Sequence, residues 1–219
     1  MTETTRTIVI NSIPYGESDL IITFFSCEYG LLKGMAKGAR KSRKRFGGCF
    51  EPFSLLDLGV RIKDSGMLAR VDSADLIDAR LGIREDLDRI NQGARMLELV
   101  SIFEPAGPPA TKPFNLLDET LSQLEKSSNP AGLCASFFVK YLEISGFGIP
   151  ISREGFRGEG RTSLCRGSLA FICQAGSIEV SKMGRLTLSA GAEREVFNFL
   201  RDYVVQISGK CLKSLDIAD

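Results

Sequence analysis

Apolar and polar positions alternate from the first residues. "TRTIVINSI" sets Ile8, Ile10 and Ile13 against polar neighbours, and Pro14, Tyr15 and Gly16 mark a turn. "DLIITFFSCEYG" is rich in β-branched and aromatic residues and closes on Gly30, and "LLKGMAKG" offers a third strand whose glycines imply tight curvature. Further on come "EPFSLLDLGVRI" and, across the turn "KDSG", "MLARVDSADL". Five short strands between Thr5 and about Leu76, with the longest connection between the third and fourth, predict a small closed barrel of the OB type over residues 1–78.

From about Asp78 the period changes to that of a helix. "LGIREDLDRINQGARMLELVSIF" places Leu87, Ile90, Ala94, Leu97 and Val100 on one face. "NLLDETLSQLEKS", bounded by Pro113 and Pro130, repeats the pattern, and "GLCASFFVKYLEISG" gives a more buried third helix ending at Gly146. Ser189 is positioned to cap "AGAEREVFNFLRDYVVQIS", which stops at Gly209. Residues 79–219 therefore read as a helical bundle, with Phe137, Phe138, Tyr141, Phe197, Phe199, Leu200 and Tyr203 as its core stripes. Alternating, glycine-spaced runs such as "SLAFICQ" and "SIEVSKMGRLTL" predict one or two small hairpins inserted at about 149–188. The fold class is α+β.

Charge changes the picture. "KGMAKGARKSRKRF" carries Lys33, Lys37, Arg40, Lys41, Arg43, Lys44 and Arg45 without an acidic residue. The whole chain has 28 basic and 27 acidic side chains, so outside this stretch 21 basic face 27 acidic, a net of −6. Confined like charges repel by a few tenths of a kcal/mol per exposed pair. Such a run implies a negative neighbour: a nucleic-acid backbone, an anionic membrane or an acidic segment of a partner. The bland reading is a solvated loop.

Other residues narrow the chemistry. The chain has no histidine, so neither a Ser-His or Cys-His nucleophile pair nor a mixed His/Cys zinc shell can form. "GFRGEG" at 155–160 lacks the spacing and the lysine of a phosphate-binding loop. The six cysteines are widely spaced and mostly beside apolar residues, which favours buried thiols over disulfides. No apolar run approaches the ~20 residues that span a bilayer, and "MTETTRTIVINSIPYGE" is no secretory signal, so a cytoplasmic protein is expected.

Three stretches resemble the RecO family of bacterial recombination mediators: "YGESDLIITFFSCEYGLLKGMAKGARKSRKRFGGCFEPFSLLDL" (15–58), "YLEISGFGIP" (141–150) and "GKCLKSL" (209–215). The resemblance implies an N-terminal OB-fold followed by a helical domain, with no catalysis of covalent bonds. It implies binding of single- and double-stranded DNA, annealing of complementary strands, and action with RecR to place RecA on strands coated by the single-stranded DNA-binding protein, whose acidic C-terminal tail is also bound. Many relatives carry a zinc-binding insertion with two CxxC pairs. Here "SREG" stands at 152–155, no CxxC occurs, and only Cys165 and Cys173 lie in the insertion. Two thiolates cannot close a tetrahedral shell, so a degenerate finger without metal or cofactor is expected.

On an OB surface the basic connection can track phosphates while aromatic rings stack on bases. Arg40, Lys41, Arg43, Lys44 and Arg45 are the expected contacts, Lys33 and Lys37 flank them, and Phe46 is the expected stacking ring. Phe53 is expected in the core, and Tyr15 in a turn can be exposed. The acidic tail that the resemblance implies would suit a groove between the helical stripes if an Arg or Lys such as Arg201 or Lys140 rims it, a site that the sequence does not place. Two other functions use the same residues: an RNA-binding OB protein of translation or ribosome assembly, and a protein scaffold whose basic run binds an acidic tail.

Overall fold

In the computed structural model, residues 2–62, 68–152, 155–156 and 164–216 are described. The chain divides into two compact units, Met1–Leu81 with Glu104–Asp118, and Gly82–Phe103 with Glu119–Asp219.

The first unit is a closed barrel of β1 (Glu3–Tyr15), β2 (Asp19–Ser26), β3 (Gly30–Ala36), β4 (Leu55–Arg61) and β5 (Ala69–Asp78), with a four-residue helix α1 (Arg43–Phe46) between β3 and β4. The strand order is β1-β2-β3-β5-β4, antiparallel except for β3 beside β5. Side chains alternate across each strand, so Ile22 and Phe24 of β2, Ala36 of β3, Leu56, Leu58 and Val60 of β4 and Val71 of β5 fill the interior. The alternation in β1 is broken by a bulge between Val9 and Asn11. One extra residue reverses the facing of the downstream positions, which is why Val9 is buried in the core while Ile13, four residues on, is 53% exposed.

A two-part division at 78/79 meets a chain that returns. Residues 104–118 pack with the barrel because strand-end groups bond to them: Leu31 N–H donates to Pro105 O, Gly107 N–H to Tyr29 O and Ala110 N–H to Cys27 O, at 2.9–3.1 Å. Phe24 points into the barrel and Phe25 to the opposite side, where Phe114 covers it at 5.7 Å between ring centroids. Gly30 permits this approach, since its φ is +64° and a Cβ there would sit 2.3 Å from Pro105 O. Arg80, with no exposed side-chain surface, donates to Phe53 O and Asp118 O (3.0 and 3.3 Å) and pairs with the Asp118 carboxylate.

The chain continues through α2 (Leu81–Arg84), α3 (Leu87–Phe103), α4 (Thr111–Leu124), α5 (Pro130–Ile144), β6 (Ile151–Ser152), β7 (Gly155–Phe156), α6 (Arg166–Ser177), a 3-10 turn (Val180–Arg185), α7 (Ala190–Ser208) and α8 (Lys213–Asp216). In the second unit α5 is central, packed by α3, α6 and α7, and buries Leu133, Phe137, Phe138, Tyr141 and Leu142 completely. The caps are those expected: Ser189 Oγ accepts from Ala192 N–H, and Gly209 ends α7 in the left-handed region.

Two expectations are corrected here. Leu87 is 72% exposed and Ile90 and Ala94 are half-buried, whereas Leu97 and Val100 of the expected face are buried together with Gln92, Met96 and Leu99. The run read as a hairpin at 168–174 is helical: Ser168, Phe171, Ile172 and Ala175 are buried at i, i+3, i+4 and i+7, the spacing of a helix stripe. Among the described residues, only Ile151–Ser152 and Gly155–Phe156 pair as strands in the region 149–188, and the glycine-rich stretch 157–163 lies outside them.

Candidate nucleic-acid interface

The connection between β3 and β4 splits its residues by chemistry. Ala39, Phe46, Cys49 and Phe50 turn inward and join the barrel core, while Lys37, Arg40, Lys41 and Arg45 stay exposed. The apolar residues anchor the segment that carries the cations. Phe46 is therefore not the stacking ring: it is 1% exposed and packs on Phe50 at 5.3 Å, because burying an aromatic ring at the barrel end stabilises more than leaving it in water. Phe53 is core, at 6% exposure. Burial holds the Cys49 thiol up at about 11, which keeps it protonated at neutral pH.

Backbone and side-chain bonds fix the cations against the β1–β2 hairpin. Arg40 N–H donates to Ser18 O (3.0 Å) and its guanidinium to Glu17 O (3.4 Å). Gly38 N–H donates to the Asp19 carboxylate at 2.8 Å, and this bond, helped by the Ser18 hydroxyl, holds the Asp19 carboxyl below the usual carboxylate range. The Arg45 guanidinium donates to Lys37 O (2.7 Å) and lies 4.8 Å over the Phe46 ring. A groove of about 500 Å³ runs beside the loop, lined by Ser12, Leu20, Arg40, Phe50 and Glu51 among others. Lys33 is exposed on β3, opposite Thr23. The side chains of Arg43 and Lys44 lie outside the described residues.

The outer face of the sheet adds Ile21, Met35 and Arg70, which the sequence pattern did not single out, to Ile13 and Tyr15, which it did. Register places Ile13, Ile21 and Met35 side by side across β1, β2 and β3, and Arg70 of β5 opposite Met35. Tyr15 is 53% exposed at the hairpin end. Strict alternation puts residues 11, 13 and 15 on the inward face with Val9, and the bulge in β1 shifts them out of phase with it.

The helical unit holds a separate cleft of about 290 Å³, lined by Arg95, Arg194, Arg201, Glu193, Phe197 and Leu215 among others. Arg95 is buried, stacks 4.8 Å over Phe197 and donates to Gln92 Oε1. Arg201, one of the two rim residues expected, lines it; Lys140 donates to Gly176 O away from it.

The insertion cysteines have other roles. Cys165 caps α6, its Sγ accepting from Ser168 N–H at 3.4 Å, while Cys173 is half-buried further along the same helix. All six thiols are free, and Cys165 and Cys211 are exposed rather than buried. Among the described residues no group of three or more Cys, Asp or Glu is arranged to hold a metal, and no helix is long and apolar enough to cross a membrane.

Comparison with known proteins agrees with this layout. The family model "Recombination protein O N terminal" matches residues 1–80, and "Recombination protein O C terminal" matches 84–163. The DNA repair protein RecO of Syntrophobacter fumaroxidans is 30% identical over 98% of this chain and 97% of its own length. Its counterpart from Syntrophus aciditrophicus is 29% identical over 100% and 95%. That of Syntrophotalea carbinolica reaches 44% identity over 64% of this chain and 54% of its own. Two matched halves in the order barrel then helices, and relatives aligned nearly end to end, establish that the chain belongs to the RecO family.

Proposed function

We propose that the protein is a DNA-binding recombination mediator that acts in repair by annealing complementary strands and, with RecR, by helping RecA load onto strands coated by the single-stranded DNA-binding protein. The observation that carries this reading is the anchored cationic segment. Its inward residues fix it to the barrel end, and its exposed lysines and arginines face water without an acidic residue among them. Cations held in place lose little freedom on meeting phosphates, and each neutralised phosphate releases counterions. Two strands captured on such a surface no longer repel each other fully, and base pairing then supplies the free energy of annealing. No covalent step or cofactor is required.

The cleft of the helical unit supports the second part of the reading, capture of the acidic C-terminal tail of the single-stranded DNA-binding protein. Arg95, Arg194 and Arg201 line the cleft against one carboxylate, Glu193, together with the apolar Phe197 and Leu215, which suits an acidic peptide that ends in an apolar side chain.

The test changes Arg40, Lys41, Arg43, Lys44 and Arg45 to glutamine and measures anisotropy of a labelled single strand across a salt series, with strand annealing in parallel. The slope of log K against log salt is expected to flatten by up to about 3.5, at ~0.7 per lost contact, and annealing to slow with it. A folded variant with unchanged affinity, slope and annealing would falsify the assignment.

A further inference from the structure

We infer that the protein carries its own competitor for the cleft of the helical unit: the acidic stretch Asp216, Ile217, Ala218 and Asp219 docks there and lowers the cleft's affinity for an acidic partner; this rests on the acidic-peptide reading above. The anchor of that stretch is built into the cleft. Glu98 of α3 caps α8, its carboxylate accepting from Lys213 N–H and Ser214 N–H at 2.9 Å and from the Ser214 hydroxyl. The buried Arg95 guanidinium donates to Ser214 O at 3.4 Å. Leu212 and Leu215 are buried, and Leu215 is itself a wall of the cleft. An arginine that lines the cleft therefore also holds the short helix from which the stretch departs.

Reach and charge fit this occupant. Asp219 follows Leu215 by four residues, roughly 13 Å at full extension, which is ample for a cleft of about 290 Å³. The side chain of Asp216 and residues 217–219 lie outside the described residues; their chemistry is that of two carboxylates around one branched apolar side chain. The cleft offers the complement. Arg95, Arg194 and Arg201 stand against Glu193, with Asp202 sharing the charge of Arg201, and Phe197 lies beside them. The two carboxylates meet the surplus of cations, and Ile217 meets the apolar wall. A tethered ligand acts at an effective concentration on the order of mM, so even weak docking opposes a partner that arrives from solution. An acidic partner must then displace the stretch before it binds.

The probe is a fluorescein-labelled peptide of four aspartates followed by phenylalanine, titrated with the full chain and followed by anisotropy. Asp216→Asn with Asp219→Asn removes the charges, and Ile217→Ser keeps them while removing the apolar side chain. Each variant is expected to bind the probe at least about threefold more tightly than wild type, and the gain from charge removal to shrink at high salt. In a background of Arg194→Gln with Arg201→Gln, which binds the probe weakly, neither change is expected to alter affinity. If the charge variant gains and Ile217→Ser does not, the acidic residues act as a diffuse field and docking is refuted. If neither variant gains while wild type binds the probe and loses it with Arg194 and Arg201, the competitor is refuted and the cleft reading stands. If no form of the chain binds the probe, the cleft reading fails first and takes the competitor with it.

Discussion

Replacing Arg80 with methionine tests what joins the 104–118 segment to the barrel. The guanidinium has no exposed surface and serves Phe53 O, Asp118 O and the Asp118 carboxylate at once. Deleting one partner of a buried ion pair costs about 3–5 kcal/mol. Asp118 retains 31% side-chain exposure and can be rehydrated once Arg80 is gone, which places the cost near 3 kcal/mol; methionine keeps most of the packed alkyl volume. At roughly 2–4 °C per kcal/mol for a chain of this size, the midpoint should fall by about 6–12 °C. Guanidinium and thermal unfolding monitored by circular dichroism measure this, with Arg61→Met as the surface control. Arg61 pairs with Asp72 but is 46% exposed, so its loss should cost far less than that of Arg80. Arg80→Lys should recover under half of the loss, because an ammonium cannot reproduce the planar fork. A cost for Arg80→Met equal to that of the surface control would refute the clamp.

Thiols and carboxylates give two further outcomes. In native protein Cys165 and Cys211 should react rapidly with a thiol reagent, Cys27 and Cys173 more slowly, and Cys49 and Cys134 only on unfolding, since burial raises both of the latter; labelling mapped by mass spectrometry checks the order, and early modification of Cys134 would contradict it. The hydrogen bond from Arg61, with support from Thr2 and Arg70, lowers the Asp72 carboxyl from 3.8 to about 2. Its stabilising effect is therefore complete above about pH 4 and disappears as pH falls toward 2. Asp72→Asn should be less stable than wild type by up to about 1 kcal/mol at pH 6 and match it near pH 2, and a constant difference across that range would contradict the assignment.

How much could be read beforehand depends on whether the determinant is local. Strand alternation, the caps Ser189 and Gly209, and the basic run between the third and fourth strands are properties of neighbouring residues, and all are legible in the sequence. Phe46 is different, since a ring beside cations in a loop looks the same whether it faces water or plugs the barrel, and the choice rests on Phe50 and the interior it meets. Helix α6 is hidden from a pattern reading because Ser168, Phe171, Ile172 and Ala175 satisfy a helical spacing inside a run that also alternates. Arg80 and Asp118 are 38 residues apart, and nothing local to either predicts the pair. In the candidate interface the cations are visible as a charge run, but the row Ile13, Ile21 and Met35 requires the register of three strands and the bulge in β1.

The return of residues 104–118 to the barrel has a consequence for anyone wishing to move the barrel as a cassette. A graft that ends at Leu81 carries all five strands yet leaves Leu31 N–H, Gly107's acceptor Tyr29 O and the Phe25 ring without their covers. The transplantable piece is a split one, residues 1–81 together with 104–118, with α2 and α3 standing as the insert between its two parts.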